Sequence, residues 1–273
     1  MTRWAAPAKL TVSLAVTGVR DDGYHLLESE MVTLDLADTL EIDDGHGGAA
    51  ATHARTALEV VTEWPADSVA RGPDALGPAA DNLVVRALAV TGRTARVRLV
   101  KRIPPGAGLG GGSADAAAVL RWAGCTDPGV ATGLGADVPF CVAGGRALVT
   151  GIGDEVTPLP FEERTFVLVL PPFGVDTTAV YRAFDRLGGP PASPSGRAGN
   201  DLEAAALVVE PRLAGWRRAL EEATGRPARL AGSGSTWFVE GGVDGVDPGA
   251  VAWLEQEGES APLVVARTVP APT

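Results

Sequence analysis

Fifteen residues, Pro104 to Ala118 (PPGAGLGGGSADAAA), limit what this chain can fold into more than any other stretch. Five of them are glycine, and they lie between a sharply alternating run, Thr94 to Ile103 (TARVRLVKRI), and an alanine-rich segment that reads as a helix ending near Ala123. Two prolines stop the strand. The glycines let the backbone approach a ligand closely, and the helix start turns free N–H groups and the positive end of its dipole outward. The segment therefore reads as an anion site. A ligand-free glycine turn is the bland alternative.

The flanking pattern places this loop in a mixed fold. Lys9 to Thr17 and Met31 to Ile42 alternate with period two, as half-buried strands do. Ala57 to Trp64 reads as a further strand, and Asp43 to His53 as a loose Gly/Ala loop. Asp81 to Val90 opens with a good cap and reads as a helix. After Pro158 the pattern resets: Phe166 to Leu170 is a buried strand, Thr177 to Leu187 a helix, and Pro190 to Gly199 a loop. Asn200 to Thr224 is helical with a break at Pro211, and Arg229 to Phe238 is strand, Gly turn, strand. A helix near Val251 and a strand over Leu263 to Val269 complete the reading. Strands and helices in both halves, with a Gly-rich loop in each, predict two α+β domains, 1–155 and 156–273, meeting at a cleft.

Charge and composition remove several classes. A formal charge of -11 over 273 residues argues against a general nucleic-acid-coating protein. No apolar run is long enough to span a bilayer, so no membrane partner is expected. Cys125 and Cys141 lack metal or redox spacing and suit a reducing, cytoplasmic setting. Of the 23 cations 21 are Arg, which singles out Lys9 and Lys101. Tyr24 and Tyr181 are equally isolated, as the two tyrosines of the chain.

Gly106 to Gly111 satisfies G-x-G-x-x-G, yet the context is wrong for a dinucleotide fingerprint. The prolines separate strand from loop, and the loop lies past residue 100 after several antiparallel-looking strands. No Lys-Ser or Lys-Thr follows the glycines, which excludes a Walker A loop. No HRD or DFG set follows, which excludes a protein kinase. What remains resembles the P-x-G-x-G-L-G-x-G-S loop of the GHMP kinases. Further segments extend the likeness in order: APAKL from Ala6, DGYH from Asp22, DNL from Asp81, KRIP from Lys101, GADVPF from Gly135, NDLE from Asn200 and AGSGS from Ala231. The set covers nearly the whole chain and is closest to the branch that phosphorylates a cytidine diphosphate ester of methylerythritol.

That resemblance implies a two-domain GHMP fold with the site in the inter-domain cleft, and ATP-dependent phosphorylation of the substrate's 2-hydroxyl in non-mevalonate isoprenoid synthesis. It implies that Pro104, Pro105, Gly106, Ala107, Gly108, Leu109, Gly110, Gly111, Gly112, Ser113 and Ala114 cradle ATP, with Ser113 helping to hold phosphate or Mg²⁺. Asp137 becomes the general base and Lys9 the charge that keeps it ionised and stabilises the moving phosphoryl. Tyr24 and Tyr181 become the aromatic sandwich around cytosine, with His25 reading its edge, partly through its backbone. Thr177, Gly232, Ser233 and Gly234 fall on the substrate side. The expected partner is a small-molecule cytidine diphosphate substrate, with no nucleic acid and no membrane, on a monomer or homodimer.

Read from the residues alone, each has an ordinary alternative. Asp137 caps a helix ahead of Val138-Pro139, Lys9 is a strand-end cation, Tyr24 a turn residue and Tyr181 a core aromatic. Asn200-Asp201-Leu202 suits a helix cap. The run without Asp or Glu between Asn82 and Ala114, with Arg86, Arg93, Arg96, Arg98, Lys101 and Arg102, is either a solvated face or a mild electrostatic aid to nucleotide binding. Two departures from the family pattern stand out. Thr11 occupies a position usually Asn, and Ala123 to Gly135 is short enough to trim a helix to a loop. A sister kinase of homoserine or mevalonate type, or a non-catalytic binding protein of this fold, remain the competing readings.

Overall fold

The computed structural model describes residues 1–45, 56–63, 81–190, 199–242 and 251–272. Its first sheet is built on a long antiparallel pair, β1 (Thr2–Val19) and β2 (His25–Asp43). The free edge of β2 pairs with β4 (Arg96–Lys101) at one end and with β5 (Arg146–Thr150) at the other. β3 (Ala57–Thr62) lies parallel to β4, and β6 (Glu155–Leu159) pairs with β5. Trp64, most of the stretch from Asp43 to His53 and most of the loop from Pro190 to Gly199 lie outside the described residues.

Four helices cover this sheet: α1 (Leu83–Val90), α2 (Gly111–Ala123), α3 (Pro128–Leu134) and α4 (Val138–Ala143). The Asn82 side chain caps α1 by accepting from Val84 N–H at 2.9 Å. The alanine run of α2 is buried on every side, since small side chains allow close approach to α1, α4 and β1. The segment expected to shrink to a loop instead holds α3. Asp127 accepts from Gly129 N–H at 2.8 Å and Pro128 sits in the first turn, a start signal strong enough for two turns of helix.

The second sheet runs β10 (Val251–Gln256), β11 (Glu259–Arg267), β7 (Thr165–Val169), β9 (Trp237–Glu240), β8 (Arg229–Leu230). Helices α5 (Thr177–Arg186), α6 (Glu203–Val209) and α7 (Leu213–Thr224) pack on it around Trp216 and Trp237. The helix expected near Val251 is strand β10. Gln256 opposes Glu259 across a two-residue turn, and both turn residues, Glu257 (φ 53°) and Gly258 (φ 82°), are left-handed as a tight hairpin demands. A third apolar cluster, with Leu10, Val32, Leu109, Phe166 and Phe238, joins the two sheets. It fixes the floor of the cleft between them.

Candidate active site

One cavity of about 860 Å³ opens between the two sheets, lined by the glycine loop, β1, the β1–β2 turn, α5 and the Gly232 turn. Lys9 reaches it because β1 is bulged. The register with β2 shifts between Pro7 and Lys9, and a bulge re-aims the side chain it carries. The freed Lys9 N–H donates to Leu109 O at 3.0 Å and ties the strand to the loop. Its buried ammonium lies 3.2 Å from Asp137 Oδ2 and donates to Thr11 Oγ1 at 3.1 Å. Thr11, at the position usually Asn, thus keeps one hydrogen bond to the lysine.

Asp137 stands at the start of α4, but its side chain caps nothing. Its backbone is already helical (φ −80°, ψ −13°), which turns the carboxylate away from the orphan N–H groups and toward Lys9. Nearby, burial and then the Asp137 charge push the Tyr181 phenol above its ordinary range, so it stays neutral. Cys141 on α4 is pushed up to about 12 by burial, then by Asp137, and is an inert thiol.

Two positions of the loop admit glycine only. Gly108 (φ 78°) would place a Cβ 2.5 Å from Ala231 O and 2.7 Å from Gly234 O, both backbone atoms of the second turn. Gly110 (φ 64°) would place one 2.7 Å from Lys9 Cγ, so a methyl there displaces the lysine stem. The bare backbone between Pro104 and the first turn of α2 leaves N–H groups facing the cavity, a cradle suited to phosphate oxygens.

Behind the loop lies a buried triad. Lys101 donates to Asp38 and, at 2.7 Å, to Asp115 Oδ2. Asp38 also accepts from the N–H groups of Arg102 and Ile103, so one carboxylate holds the strand end that launches the loop. Burial opposes the Lys101 charge, but the facing Asp115 and Asp38 carboxylates outweigh it and raise the ammonium. Burial pushes Asp115 up to about 8, against the pull of Lys101, and among the described residues its Oδ1 has no hydrogen-bond partner. Half of the basic run is paired with carboxylates: Arg98 with Glu41, Arg102 with Glu63, and Lys101 with Asp38 and Asp115.

On the opposite wall the His25 ring lies against Tyr181, with centroids 4.7 Å apart and a 31° tilt, and edge-on to Phe184 at 5.8 Å. Its Nε2 meets Asp185 Oδ1 at 2.7 Å. Tyr24 stands at the rim, 59% exposed, beneath the Arg20 guanidinium. Thr177 and Ser233 share a hydroxyl hydrogen bond at 2.8 Å that ties α5 to the second glycine turn. Asn200 Oδ1 accepts from Leu202 N–H at 2.9 Å at the entry to α6, whose N-cap is Leu202. The Asn200 amide also donates to Leu230 O and Gly232 O and shapes the second glycine turn, while Asp201 accepts from Val16 N–H.

Most residues singled out in the sequence line this cavity, but Leu109, Ala114 and Gly234 do not. Leu109 and Ala114 are core side chains that anchor the loop from below, and Gly234 packs under Gly108. Lys101, Asp115, Thr178, Arg182 and Asp185 join the lining without having been picked as site residues. Asp38 carried a readable signal: it shares the inward phase of β2 with Leu40 and Ile42, where an acid needs a buried partner. Among the described residues, no three His, Cys, Asp or Glu side chains cluster to hold a metal, and no helix is long and apolar enough to cross a membrane.

Residues 82–145 match the GHMP kinases N terminal domain. The chain is 42% identical over 253 residues to a 4-diphosphocytidyl-2-C-methyl-D-erythritol kinase of Paracoccus denitrificans, covering 86% of this chain and 85% of that protein. A protein of the same name from Ruegeria pomeroyi is 38% identical over 259 residues, with 85% and 86% covered. A crystal structure of 4-(cytidine 5'-diphospho)-2C-methyl-D-erythritol kinase superposes with a TM-score of 0.67 at 31% identity, covering 87% of this chain and 89% of that one.

Proposed function

Because the chain belongs to the 4-diphosphocytidyl-2-C-methyl-D-erythritol kinases of the GHMP superfamily, we infer that it transfers the γ-phosphoryl group of ATP to the 2-hydroxyl of that cytidyl substrate. One observation carries the site assignment: Lys9 Nζ and Asp137 Oδ2 lie 3.2 Å apart in the cleft that the glycine loop and the His25–Tyr181 wall both enter.

In our reading the loop from Pro104 to Ser113 binds the triphosphate through backbone N–H groups. Mg²⁺ usually keeps several waters and takes few protein ligands, so the phosphates and the Ser113 hydroxyl would hold it; it would neutralise charge on the transferring group. Asp137 orients the 2-hydroxyl and accepts its proton as the new O–P bond forms and the bond to the ADP oxygen breaks. Lys9, fixed by Thr11 and Asp137, lends positive charge to the phosphoryl oxygens in flight. Residues 1–155 carry the nucleotide side together with Tyr24 and His25, and 156–273 supply Tyr181, α5 and the Gly232 turn, with β6 continuing the first sheet past residue 155.

We assign the cytosine to the aromatic wall. His25 lies against Tyr181 with no room for a ring between them, so the base stacks on this pair from the cleft side and Tyr24 closes over it from the rim. The function is tested by offering purified protein, with Mg-ATP, the cytidyl substrate, homoserine and mevalonate in parallel. ADP release and a new phosphomonoester with the cytidyl substrate alone support the assignment. Turnover of either of the other alcohols in its place overturns it.

A further inference from the structure

The cleft must accept a triphosphate and a diphosphate, yet its own charge is unfavourable. Three cations line it, Lys9, Lys101 and Arg182, against four carboxylates, Asp81, Asp115, Asp137 and Asp185. Two of the cations are already spent. Lys9 faces Asp137, and Lys101 is buried between Asp38 and Asp115. Asp185, three residues beyond Arg182 on α5, is engaged by His25. Arg182 makes no ion pair or hydrogen bond among the described residues.

Its position on the helix is specific. Thr178, Arg182 and Asp185 recur at intervals of four and three residues, which puts them on one face of α5, and all three line the cleft. Tyr181 and Thr177 occupy the adjoining strip of the same helix and line it as well. Arg182 therefore stands one residue from the aromatic wall and a little over one turn along α5 from the Thr177–Ser233 hydroxyl pair at the second glycine turn. A cytidine diphosphate anchored by its base on Tyr181 carries its phosphates away from that ring. A planar guanidinium with an unused fork of donors is the side chain that recognises such a group in two-point fashion.

We propose that Arg182 binds the diphosphate of the cytidyl substrate and is the charge by which this enzyme distinguishes a cytidine diphosphate from an uncharged cytidine. This rests on the functional reading above. The helix exposes the Arg182 side chain, so replacing it leaves the core intact.

The test compares wild type with Arg182→Gln and Arg182→Lys in steady-state kinetics and in competition by cytidine, CMP and CDP. In Arg182→Gln the KM for the cytidyl substrate rises about 10- to 100-fold, the loss expected for a hydrogen-bonded charge. Its kcat and its KM for ATP stay within about threefold. CDP loses its advantage over cytidine in Arg182→Gln, cytidine itself binds as before, and Arg182→Lys recovers much of the loss. An unchanged CDP-to-cytidine ratio overturns the inference, and so does a rise confined to the KM for ATP, which would assign the guanidinium to the nucleotide. Wild type inactive on the cytidyl substrate overturns the functional reading and this inference with it. An active wild type matched by Arg182→Gln overturns the inference alone.

Discussion

Replacing Lys101 by Met removes the one cation from a buried site with two carboxylates. Asp38 is fully buried and Asp115 is 3% exposed. Breaking a buried pair by deleting one partner costs roughly 3–5 kcal/mol, because the remaining charge is left uncompensated. Asp38 keeps the N–H groups of Arg102 and Ile103, whereas Asp115 loses its Lys101 donor and, with its carboxyl already raised to about 8, stays protonated beside Asp38. For a chain of this size that loss corresponds to a fall in Tm of about 6–10 °C. Because Asp38 also fixes the backbone entering the phosphate loop, the KM for ATP rises while that for the cytidyl substrate changes little. The assay is thermal unfolding by circular dichroism beside steady-state kinetics, with Asp115→Asn as the comparison. Asp115→Asn keeps the Lys101–Asp38 pair and costs about 1 kcal/mol or less. A Lys101→Met variant less than about 1 kcal/mol below wild type, or one no worse than Asp115→Asn, refutes the reasoning.

The same triad predicts a pH dependence. With the folded carboxyl of Asp115 raised to about 8 from 3.8, the native state binds more protons than the unfolded chain between those values, so this group's contribution to stability falls as pH rises through that window. Urea titrations of wild type and Asp115→Asn from pH 5 to 8 show a downward difference for wild type; parallel curves contradict the assignment. Gly110→Ala places a methyl 2.7 Å from Lys9 Cγ in a left-handed residue. The expected result is a loss of about 1–2 kcal/mol with a larger loss of kcat, and an unaffected kcat contradicts the packing of loop on lysine. Tyr181→Ala weakens the cytidyl substrate by about 1–3 kcal/mol with the KM for ATP unchanged, read by competition with CDP. Equal weakening of both substrates removes the stacking role.

The parts of this site that lie on one local element were legible in the sequence. The glycine loop, its prolines and the helix that follows are a contiguous signal, and the isolated lysines in an Arg-rich chain pointed to Lys9 and Lys101. What the sequence could not specify is pairing across distance. His25 and Asp185 are 160 residues apart and meet only because the β1–β2 turn folds over α5. The same holds for Asp38, Lys101 and Asp115, which bury one cation of the basic run between two acids. The misread helix at Val251 has a local cause. Ala, Leu, Glu and Gln favour helix, and tertiary pairing with β11 across a Glu-Gly turn overrode that preference.

The central claim is that Asp137, held by Lys9, handles the proton of the attacking hydroxyl in this cleft. Single-turnover transfer from Mg-ATP to the cytidyl substrate, followed by rapid quench in wild type and Asp137→Asn, tests it most directly. The account predicts a transfer rate lower by about 10²–10⁴-fold in Asp137→Asn, with both substrates bound within a few-fold of wild type. An Asp137→Asn enzyme that transfers phosphoryl within tenfold of the wild-type rate contradicts it.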